Sequence, residues 1–342
     1  MLKEILRSCM NGYTMTEKEA EQAMNQIMTG EATSSQIASL LTIMRFRGET
    51  VDEITGFARA MRTHSAKIPV GDLPVVDTCG TGGDDLGTFN ISTATAIVLS
   101  AVGVPVAKHG NRAVSSKSGS ADVLEQLQIP IQLSPEEAEA SLKQSNLCFM
   151  FAPIYHQSMK HAVIPRKEIG FRTIFNVLGP LTNPANAKHQ LIGVYDKQFA
   201  VKMAEALSRL GTRKALVVNG SEGLDELSIT AESTIIEVNG GECKSYTLTP
   251  EDVGLKRGIL EELQVATPAE SAALIRKVME GTANESAEGI VILNAAAALY
   301  AAERVSSIKD GVEFVRTAIR SGSVYRHFTS LQTEIRETEQ HA

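Results

Sequence analysis

The stretch DTCGTGGDDLGTFNIST, residues 77–93, decides how the rest of the chain is interpreted. It follows a short apolar run, contains glycines at positions 80, 82, 83 and 87, and leads into the apolar segment STATAIVLSAVG, residues 92–103. Glycine allows positive φ angles, so successive backbone N–H groups can face an anion while the next helix adds the positive end of its dipole. The stretch therefore predicts a strand, a glycine loop and a helix, an arrangement that suits a phosphate group.

The glycine loop alone does not establish a phosphate site. It matches neither the GxxxxGK[ST] nor the GxGxxG motif, and glycine-rich turns of this kind are often purely structural. Asn90, Ser92 and Thr93 stand where the helix should begin. Their side chains could cap that helix, or they could reach a phosphate or a metal.

Two further polar segments also follow predicted strands. KHGNRAVSSKSGSADVLE, residues 108–125, carries cations and hydroxyls, and GSEGLDELS, residues 220–228, carries the adjacent carboxylates Asp225 and Glu226. Loops at the carboxyl ends of neighbouring parallel strands converge on one crevice, the usual ligand site of an open α/β sheet. Carboxylates beside a phosphate site suit Mg²⁺, although adjacent carboxylates by themselves are usually a solvated surface feature. The three segments together predict a site for an anionic ligand.

The order of helix and strand patterns predicts the fold class. Helices with capping-box spacing at Thr16/Glu19 and Thr50/Glu53 fill the first part of the chain, and strands then alternate with helices. This predicts an α/β protein with a small N-terminal α-helical domain and a larger α/β domain whose central sheet is mostly parallel. We expect the helical domain to span residues 1–70, with helices near residues 165–180 as candidates to join it, and the α/β domain to span residues 71–342.

Composition narrows the functional classes. The chain has 342 residues, 43% of them hydrophobic, and a formal net charge of −7, which argues against a nucleic-acid surface. Its four cysteines lack the paired spacing of a zinc site or a disulfide framework, as is typical of a reducing compartment. No leader pattern and no apolar run of membrane-spanning length is evident, so we expect a cytoplasmic protein that binds neither membrane nor nucleic acid.

Five motifs taken in order make the interpretation specific. DTCGTGGD, NIST, KHGNRAVSSKSGSADVLE, FNVLGPLTNPA and GLDELS, behind a helical N-terminal unit, closely resemble the anthranilate phosphoribosyltransferase family of tryptophan biosynthesis over essentially the whole chain. The resemblance implies transfer of a phosphoribosyl group from 5-phosphoribosyl 1-diphosphate (PRPP) to the amine of anthranilate, with release of diphosphate. It also implies a requirement for Mg²⁺ and a homodimer.

The same resemblance implies the site residues. The residues matched to the PRPP site are Gly80, Gly83, Asp84, Thr88, Asn90, Ile91, Ser92, Thr93, Lys108, His109, Gly110, Asn111, Arg112, Ala113, Val114, Ser115, Ser116 and Ser120. The residues matched to the anthranilate site are Gly80, Asn111 and Arg166. The residues matched to the Mg²⁺ site are Ser92, Asp225 and Glu226.

Residue chemistry is consistent with these roles. Backbone N–H groups, Lys108 and Mg²⁺ can stabilise the charge that builds on a departing diphosphate, and an aromatic amine is already a nucleophile. Direct displacement without a covalent intermediate is therefore expected, with Lys108 and His109 as electrostatic contributors and Arg166 gripping the carboxylate of anthranilate. His109 could pack against the anthranilate ring, donate to a phosphate, or be structural. His156 stands where family members often have a His-Pro-Ala-Met run, and Gln157 and Ser158 replace the Pro-Ala here.

Two alternatives remain open at this point. A pyrimidine nucleoside phosphorylase would share the fold and run related chemistry at the same sugar carbon, but would need phosphate and a nucleoside. A nucleic-acid-binding relative that has lost catalysis would show a broad basic groove and salt-dependent binding to DNA.

Overall fold

The computed structural model describes residues 1–113 and 117–339. The predicted site residues Val114, Ser115 and Ser116 lie outside the described residues. The chain opens with four helices: α1 (Leu2–Met10), α2 (Glu17–Met28), α3 (Ser34–Arg47) and α4 (Val51–His64). Both predicted capping boxes are present, since Thr16 and Thr50 each accept from the backbone of a glutamate three residues later, and that glutamate bonds back.

A seven-stranded sheet follows, and its strand order is β3-β2-β1-β4-β5-β6-β7. The strands are β1 (Val76–Gly80), β2 (Val106–Gly110), β3 (Leu147–Phe151), β4 (His189–Gly193), β5 (Lys214–Gly220), β6 (Ser233–Asn239) and β7 (Glu242–Leu248). Strands β1 to β5 are parallel, whereas β6 and β7 are antiparallel and turn at Gly240 and Gly241. The predicted fold class is therefore confirmed.

Helices cover both faces of the sheet because its central strands are apolar on both sides. The remaining helices are α5 (Ile91–Ala101), α6 (Ser120–Gln126), α7 (Pro135–Ser145), α8 (Ala152–Tyr155), α9 (Lys160–Ile169), α10 (Phe175–Leu178), α11 (Lys197–Arg209), α12 (Pro268–Glu280), α13 (Glu285–Ala301), α14 (Ile308–Arg320) and α15 (Ser323–Glu339). Short 3₁₀ turns occupy Gln157–Met159, Gly179–Leu181, Pro250–Val253 and Leu260–Leu263. Leu191 packs into the core formed with α5 and α13, and the adjacent Ile192 packs into the core shared with α11 and the helical unit. Successive strand residues point to opposite faces, so neighbouring residues serve two cores.

The N-terminal helices pack beyond their own segment. Helix α9 contacts α3 and α2, α10 contacts α4, and α4 also contacts α11. These contacts are compatible with later helices joining the helical unit, while the boundary at residue 70 and the cellular location stay predictions. No helix in the described part of the chain has both the length and the apolar character needed to cross a membrane.

Candidate active site

The three polar segments meet at the carboxyl edge of the parallel strands. The glycine loop follows β1, the segment after residue 110 follows β2, and the segment after residue 220 follows β5. Parallel strands direct these segments to one edge of the sheet. Three hydrogen-bonded pairs join them: Gly82 with Asp225, Ser92 with Glu226, and Asn90 with Ser118.

Asp225 lies so close to Gly80 and Gly193 that neither position has room for a side chain. Its Oδ2 accepts a hydrogen bond of 2.7 Å from the Gly82 N–H. A Cβ on Gly80 would lie 2.2 Å from that oxygen, and a Cβ on Gly193 would lie 1.5 Å from the Asp225 carbonyl oxygen. Gly80 and Gly193 therefore have to be glycine for the third segment to dock. Gly193, the last residue of β4, is a position that the sequence analysis did not single out.

Three carboxyl groups gather beside this contact. The Ser92 hydroxyl donates to Glu226 Oε1, while Glu226 Oε2 is buried and has no hydrogen-bond partner among the described residues. Asp84 shares a hydrogen bond with Asp225. Burial raises the pKa of Glu226 to about 7, and burial together with the neighbouring Asp84 and Glu226 raises the pKa of Asp225 well above its usual value.

This donor set fits Mg²⁺. Carboxylate and hydroxyl oxygens are hard ligands, and an unpaired buried oxygen beside mutually repelling carboxylates is stabilised by a divalent cation. Within the described ranges, no three His, Cys, Asp or Glu side chains form a ready-made cage. Mg²⁺ commonly uses one or two carboxylates and completes its octahedron with water and substrate phosphate. Ser92, Asp225 and Glu226 would hold it here.

Asn90 links two of the loops rather than capping α5. Its side-chain amide donates to the Ser118 carbonyl oxygen at 3.1 Å, and its Oδ1 accepts from the hydroxyls of Ser118 and Ser271, both at 2.8 Å. Helix α5 has no side-chain cap. Its first N–H groups thus lie at an uncapped helix start, where an anion is favoured.

Other predicted site residues of the glycine segment lie in different environments. Ile91 and Thr93 are buried, at 2% and 1% exposure, so their side chains serve the core. Thr88 forms an isolated β-bridge with Gln264. Gly83 has a φ of +88°, and a Cβ there would lie 2.5 Å from the guanidinium of Arg172.

The second segment folds back onto α6. Arg112 forms a two-pronged ion pair with Glu125, at 2.6 and 2.7 Å, and bonds Asp122 at 3.0 Å. Asp122 also accepts from the backbone N–H groups of Ala113 and Gly119. The Asn111 carbonyl oxygen accepts from Ser120, whose hydroxyl lies 2.3 Å from where a Cβ on Gly110 would be. The guanidinium of Arg112 is therefore paired with carboxylates of α6.

Lys108 and His109 are buried at the end of β2. Lys108 Nζ donates to the Thr78 carbonyl oxygen. The ring of His109 lies 5.0 Å from that of His156, its Nδ1 is 3.3 Å from the Gly179 carbonyl oxygen, and its Nε2 has no partner among the described residues. Burial lowers the pKa of His109 to about 3 and that of His156 to about 4. Both imidazoles are therefore neutral at physiological pH, so His109 adds no positive charge to the site.

Two arginines lie on the segment that follows α8. Arg166, on α9, stacks on Phe175 at 5.0 Å, and within the described residues no hydrogen bond or ion pair ties it to another predicted site residue. Partial burial lowers its pKa. Arg172, which the sequence analysis missed, donates to the Gly83 carbonyl oxygen at 2.7 Å and to Asp85 at 3.2 Å. The sequence feature that could have identified Arg172 is the basic run that precedes FNVLGPL.

The fold and site define a glycosyl transferase. The helical bundle domain of the glycosyl transferase family matches residues 3–65, and its a/b domain matches residues 72–325.

Individual relatives narrow this class. An anthranilate phosphoribosyltransferase of Halalkalibacterium halodurans is 68% identical over 100% of both chains. A crystal structure of an anthranilate phosphoribosyltransferase from Thermus thermophilus is 41% identical with a TM-score of 0.91, covering 97% of this chain and 99% of that one. The enzyme from Saccharomyces cerevisiae, solved in complex with PRPP and Mg, is 25% identical with a TM-score of 0.89, covering 98% of each chain. The chain belongs to the anthranilate phosphoribosyltransferase family.

Proposed function

We propose that this protein transfers the phosphoribosyl group of PRPP to the amine of anthranilate, releases diphosphate, and uses Mg²⁺. The observation that carries the proposal is the junction of Ser92 with Glu226 beside the contact of Asp225 with the glycine loop. Hard oxygen donors stand there next to an uncapped helix start and a glycine-lined backbone. A phosphorylated sugar with a divalent cation is the ligand that this combination suits.

The glycine loop and the second segment would bind the diphosphate and ribose. The residues assigned to this role are the PRPP-site residues matched to the family in the sequence analysis. At Ile91 and Thr93, whose side chains are buried, only the backbone would contact the ligand. Asp84, bonded to Asp225, would orient that carboxylate toward the metal. Mg²⁺, once bound, supplies positive charge to the diphosphate.

The reaction is a displacement at the anomeric carbon. The C1–O bond to diphosphate breaks, a C1–N bond to the aromatic amine forms, and the amine loses one proton. Lys108, which is buried, stabilises the departing diphosphate in a site of low dielectric. No residue needs to form a covalent intermediate, since the acceptor is itself a nucleophile.

Arg166, Asn111 and Gly80 would form the acceptor side of the site. The Arg166 guanidinium stacks on Phe175 and has no carboxylate partner among the described residues, so it is available for the carboxylate of anthranilate. A planar guanidinium can bind a carboxylate through two parallel hydrogen bonds.

A homodimer is also proposed. Phe46 on α3 is 95% exposed, Met10 is 71% exposed, and Ile164 on α9 is 60% exposed. Because α3 and α9 are packed together, the apolar groups of these two helices lie on the same helical unit. Interaction surfaces are typically contiguous exposed apolar patches, and we propose that these side chains belong to one. Sedimentation equilibrium at two protein concentrations, compared with Phe46→Glu, tests the dimer directly.

The transferase is tested by loss of anthranilate fluorescence with PRPP and Mg²⁺. We expect loss that stops with EDTA and with Asp225→Asn/Glu226→Gln. The matched control Glu251→Gln/Asp252→Asn removes an adjacent, exposed carboxylate pair and should retain activity. Folded wild-type protein that consumes no anthranilate would contradict the proposal. Cleavage of a pyrimidine nucleoside with phosphate, or salt-sensitive binding to DNA, would then identify the alternative.

A further inference from the structure

A large cavity lies at the opposite edge of the sheet from the candidate active site. It has a volume of about 780 Å³ and is lined by residues at the amino-terminal ends of β1, β4 and β5, by the linker that follows α4, and by α4 itself. The parallel strands β1 and β4 are five residues long, so this cavity and the glycine loop are separated by roughly 16 Å of strand. The two sites therefore have no lining residue in common.

The cavity is strongly basic in a protein whose net charge is −7. Its charged lining residues are Arg62, Lys67, Asp72, Lys188 and Arg213. Arg213 is paired with Glu303 at 2.6 Å. Within the described residues, Arg62, Lys67 and Lys188 have no carboxylate within ion-pair distance, and Asp72 is the only carboxylate of the lining. Three cations thus line one cavity with no carboxylate paired to them, against the single negative charge of Asp72.

Neutral oxygens hold these three cations in place. Arg62 donates through Nε to the Leu181 carbonyl oxygen at 2.6 Å and through Nη1 to Asn186 at 3.2 Å. Lys67 donates to Ser65 at 2.9 Å and to the Arg62 carbonyl oxygen, and Lys188 donates to the Gly211 carbonyl oxygen at 3.0 Å. A guanidinium has five N–H donors and an ammonium three, so each group retains donors for a ligand.

Arg62 is partly buried, Lys67 and Lys188 are exposed, and an anion bound in the cavity would relieve the repulsion among these three like charges. Burial lowers the pKa of Arg62 to about 10, and burial together with the Arg62 charge lowers the pKa of Lys67 and of Lys188. A structural alternative is that Lys67 merely caps the C-terminus of α4, where cations are favoured. That role does not account for Arg62 and Lys188 at the same cavity.

We propose that this cavity binds a small phosphorylated organic molecule. Phosphate oxygens would accept from the guanidinium of Arg62 and from the two lysine ammonium groups. Ile68, Pro69, Val70 and Pro74 supply an apolar wall for the organic part. The volume falls within the range of about 300 to 1,000 Å³ that is usual for small-molecule sites. The ligand would connect Arg62 of α4 with Lys188 at the start of β4.

The first test uses tungstate, a tetrahedral dianion, soaked into crystals of the full chain. We expect an anomalous peak in the cavity in addition to any peak at the glycine loop. A peak at the glycine loop alone, at a tungstate concentration that saturates that loop, would overturn the proposal. This result is separable from the proposed function, which concerns the opposite edge of the sheet.

The second test measures the thermal midpoint of the protein against phenyl phosphate at constant ionic strength. Lys67→Gln/Lys188→Gln should shift the midpoint of this titration to concentrations at least about tenfold higher. The matched control Lys197→Gln/Lys309→Gln removes the same charge from exposed positions outside the cavity and should titrate like the wild type. Coincident curves for the two double variants would contradict the site. If the cavity variant does not fold, the tungstate experiment decides.

Discussion

The Asp225 carboxylate occupies the space that a side chain at Gly80 would need. Its Oδ2 lies 2.2 Å from the position of a Cβ on Gly80, and the same oxygen is hydrogen-bonded to the Gly82 N–H. The glycine loop and the carboxylate pair are thereby held in direct contact, although 143 residues separate Gly82 from Asp225 in the chain. A shift of either the glycine loop or the carboxylate pair would displace Asp225, a proposed ligand of Mg²⁺.

Gly80→Ala should therefore reduce kcat/KM by about 100-fold, because a displacement of about 1 Å in a positioned group costs this much. The measurement is steady-state kinetics with anthranilate and PRPP. Gly179→Ala is the matched control, since nothing lies within 4 Å of a Cβ at that position and its φ is −48°. Equal kinetics for the two variants would show that the close contact has no bearing on activity.

Glu226 should make the metal-free protein less stable as pH rises. Its pKa is about 7 in the folded chain against an ordinary value of 4.5, so the folded state holds a proton that the unfolded state has lost between these values. In EDTA, the melting temperature should fall from pH 4.5 to about 7 for the wild type and fall less for Glu226→Gln.

At pH 8, Mg²⁺ should raise the melting temperature of the wild type above that of Glu226→Gln. The wild type should gain several degrees from the ion, because binding stabilises the folded state and the ionised carboxylate. Glu226→Gln should gain much less, while Glu136→Gln, an exposed change, should match the wild type throughout. A wild-type melting temperature independent of pH and of Mg²⁺ would contradict the assignment.

Arg172→Lys should raise KM for PRPP by about tenfold while leaving the protein folded. A lysine carries all its donors on one nitrogen and lacks the planar fork by which Arg172 bonds the Gly83 carbonyl oxygen and Asp85 from two nitrogens, so the support of the glycine loop is weakened. Arg257→Lys is a matched control, because Arg257 bonds both Glu251 oxygens at an exposed position. Competition kinetics with diphosphate provide an independent measure, and an unchanged inhibition constant would weigh against the prediction.

Arg166→Lys should raise KM for anthranilate by about tenfold and leave KM for PRPP near the wild-type value. The expected reason is loss of the two-pronged contact with the carboxylate. Aniline, which lacks that carboxylate, should react equally slowly with wild type and variant. A rise confined to PRPP would instead place Arg166 on the donor side of the site.

His109 and His156 should contribute to acid unfolding. Their folded pKa values of about 3 and about 4 lie below the ordinary value of 6.5, so the unfolded state takes up protons first. Stability should accordingly fall as pH decreases from 6.5 towards 4. His156→Asn should flatten this dependence by close to one proton. An unchanged slope in His156→Asn would show that this ring is protonated in the folded protein.

Local patterns were sufficient to predict the elements that frame the site. The capping boxes at Thr16 and Thr50 and the alternation of strands with helices depend on residues a few positions apart. Such features can be recognised in a sequence because the interacting groups are neighbours in the chain. The capping role considered for Asn90 did not appear, because Ser118 and Ser271 bond its side chain.

Long-range contacts account for what the sequence analysis missed. Arg172 reaches Gly83 across 89 residues, and Gly193 is required only because the backbone of Asp225 passes beside it. The engagement of Arg112 by Glu125 depends on how the second segment folds onto α6. Neither hydrophobic periodicity nor motif spacing in the sequence indicates these contacts.

The sequence by itself determined the order of the elements, the glycine positions that permit a tight turn, and the candidate anion-binding and metal-binding side chains. The tertiary structure decided which of those groups meet, their protonation and the location of the basic cavity. Hydrogen-bonded turns and hydrophobic periods are set by adjacent residues, whereas burial and the electrostatic coupling of Asp84, Asp225 and Glu226 arise only when distant segments share one low-dielectric environment.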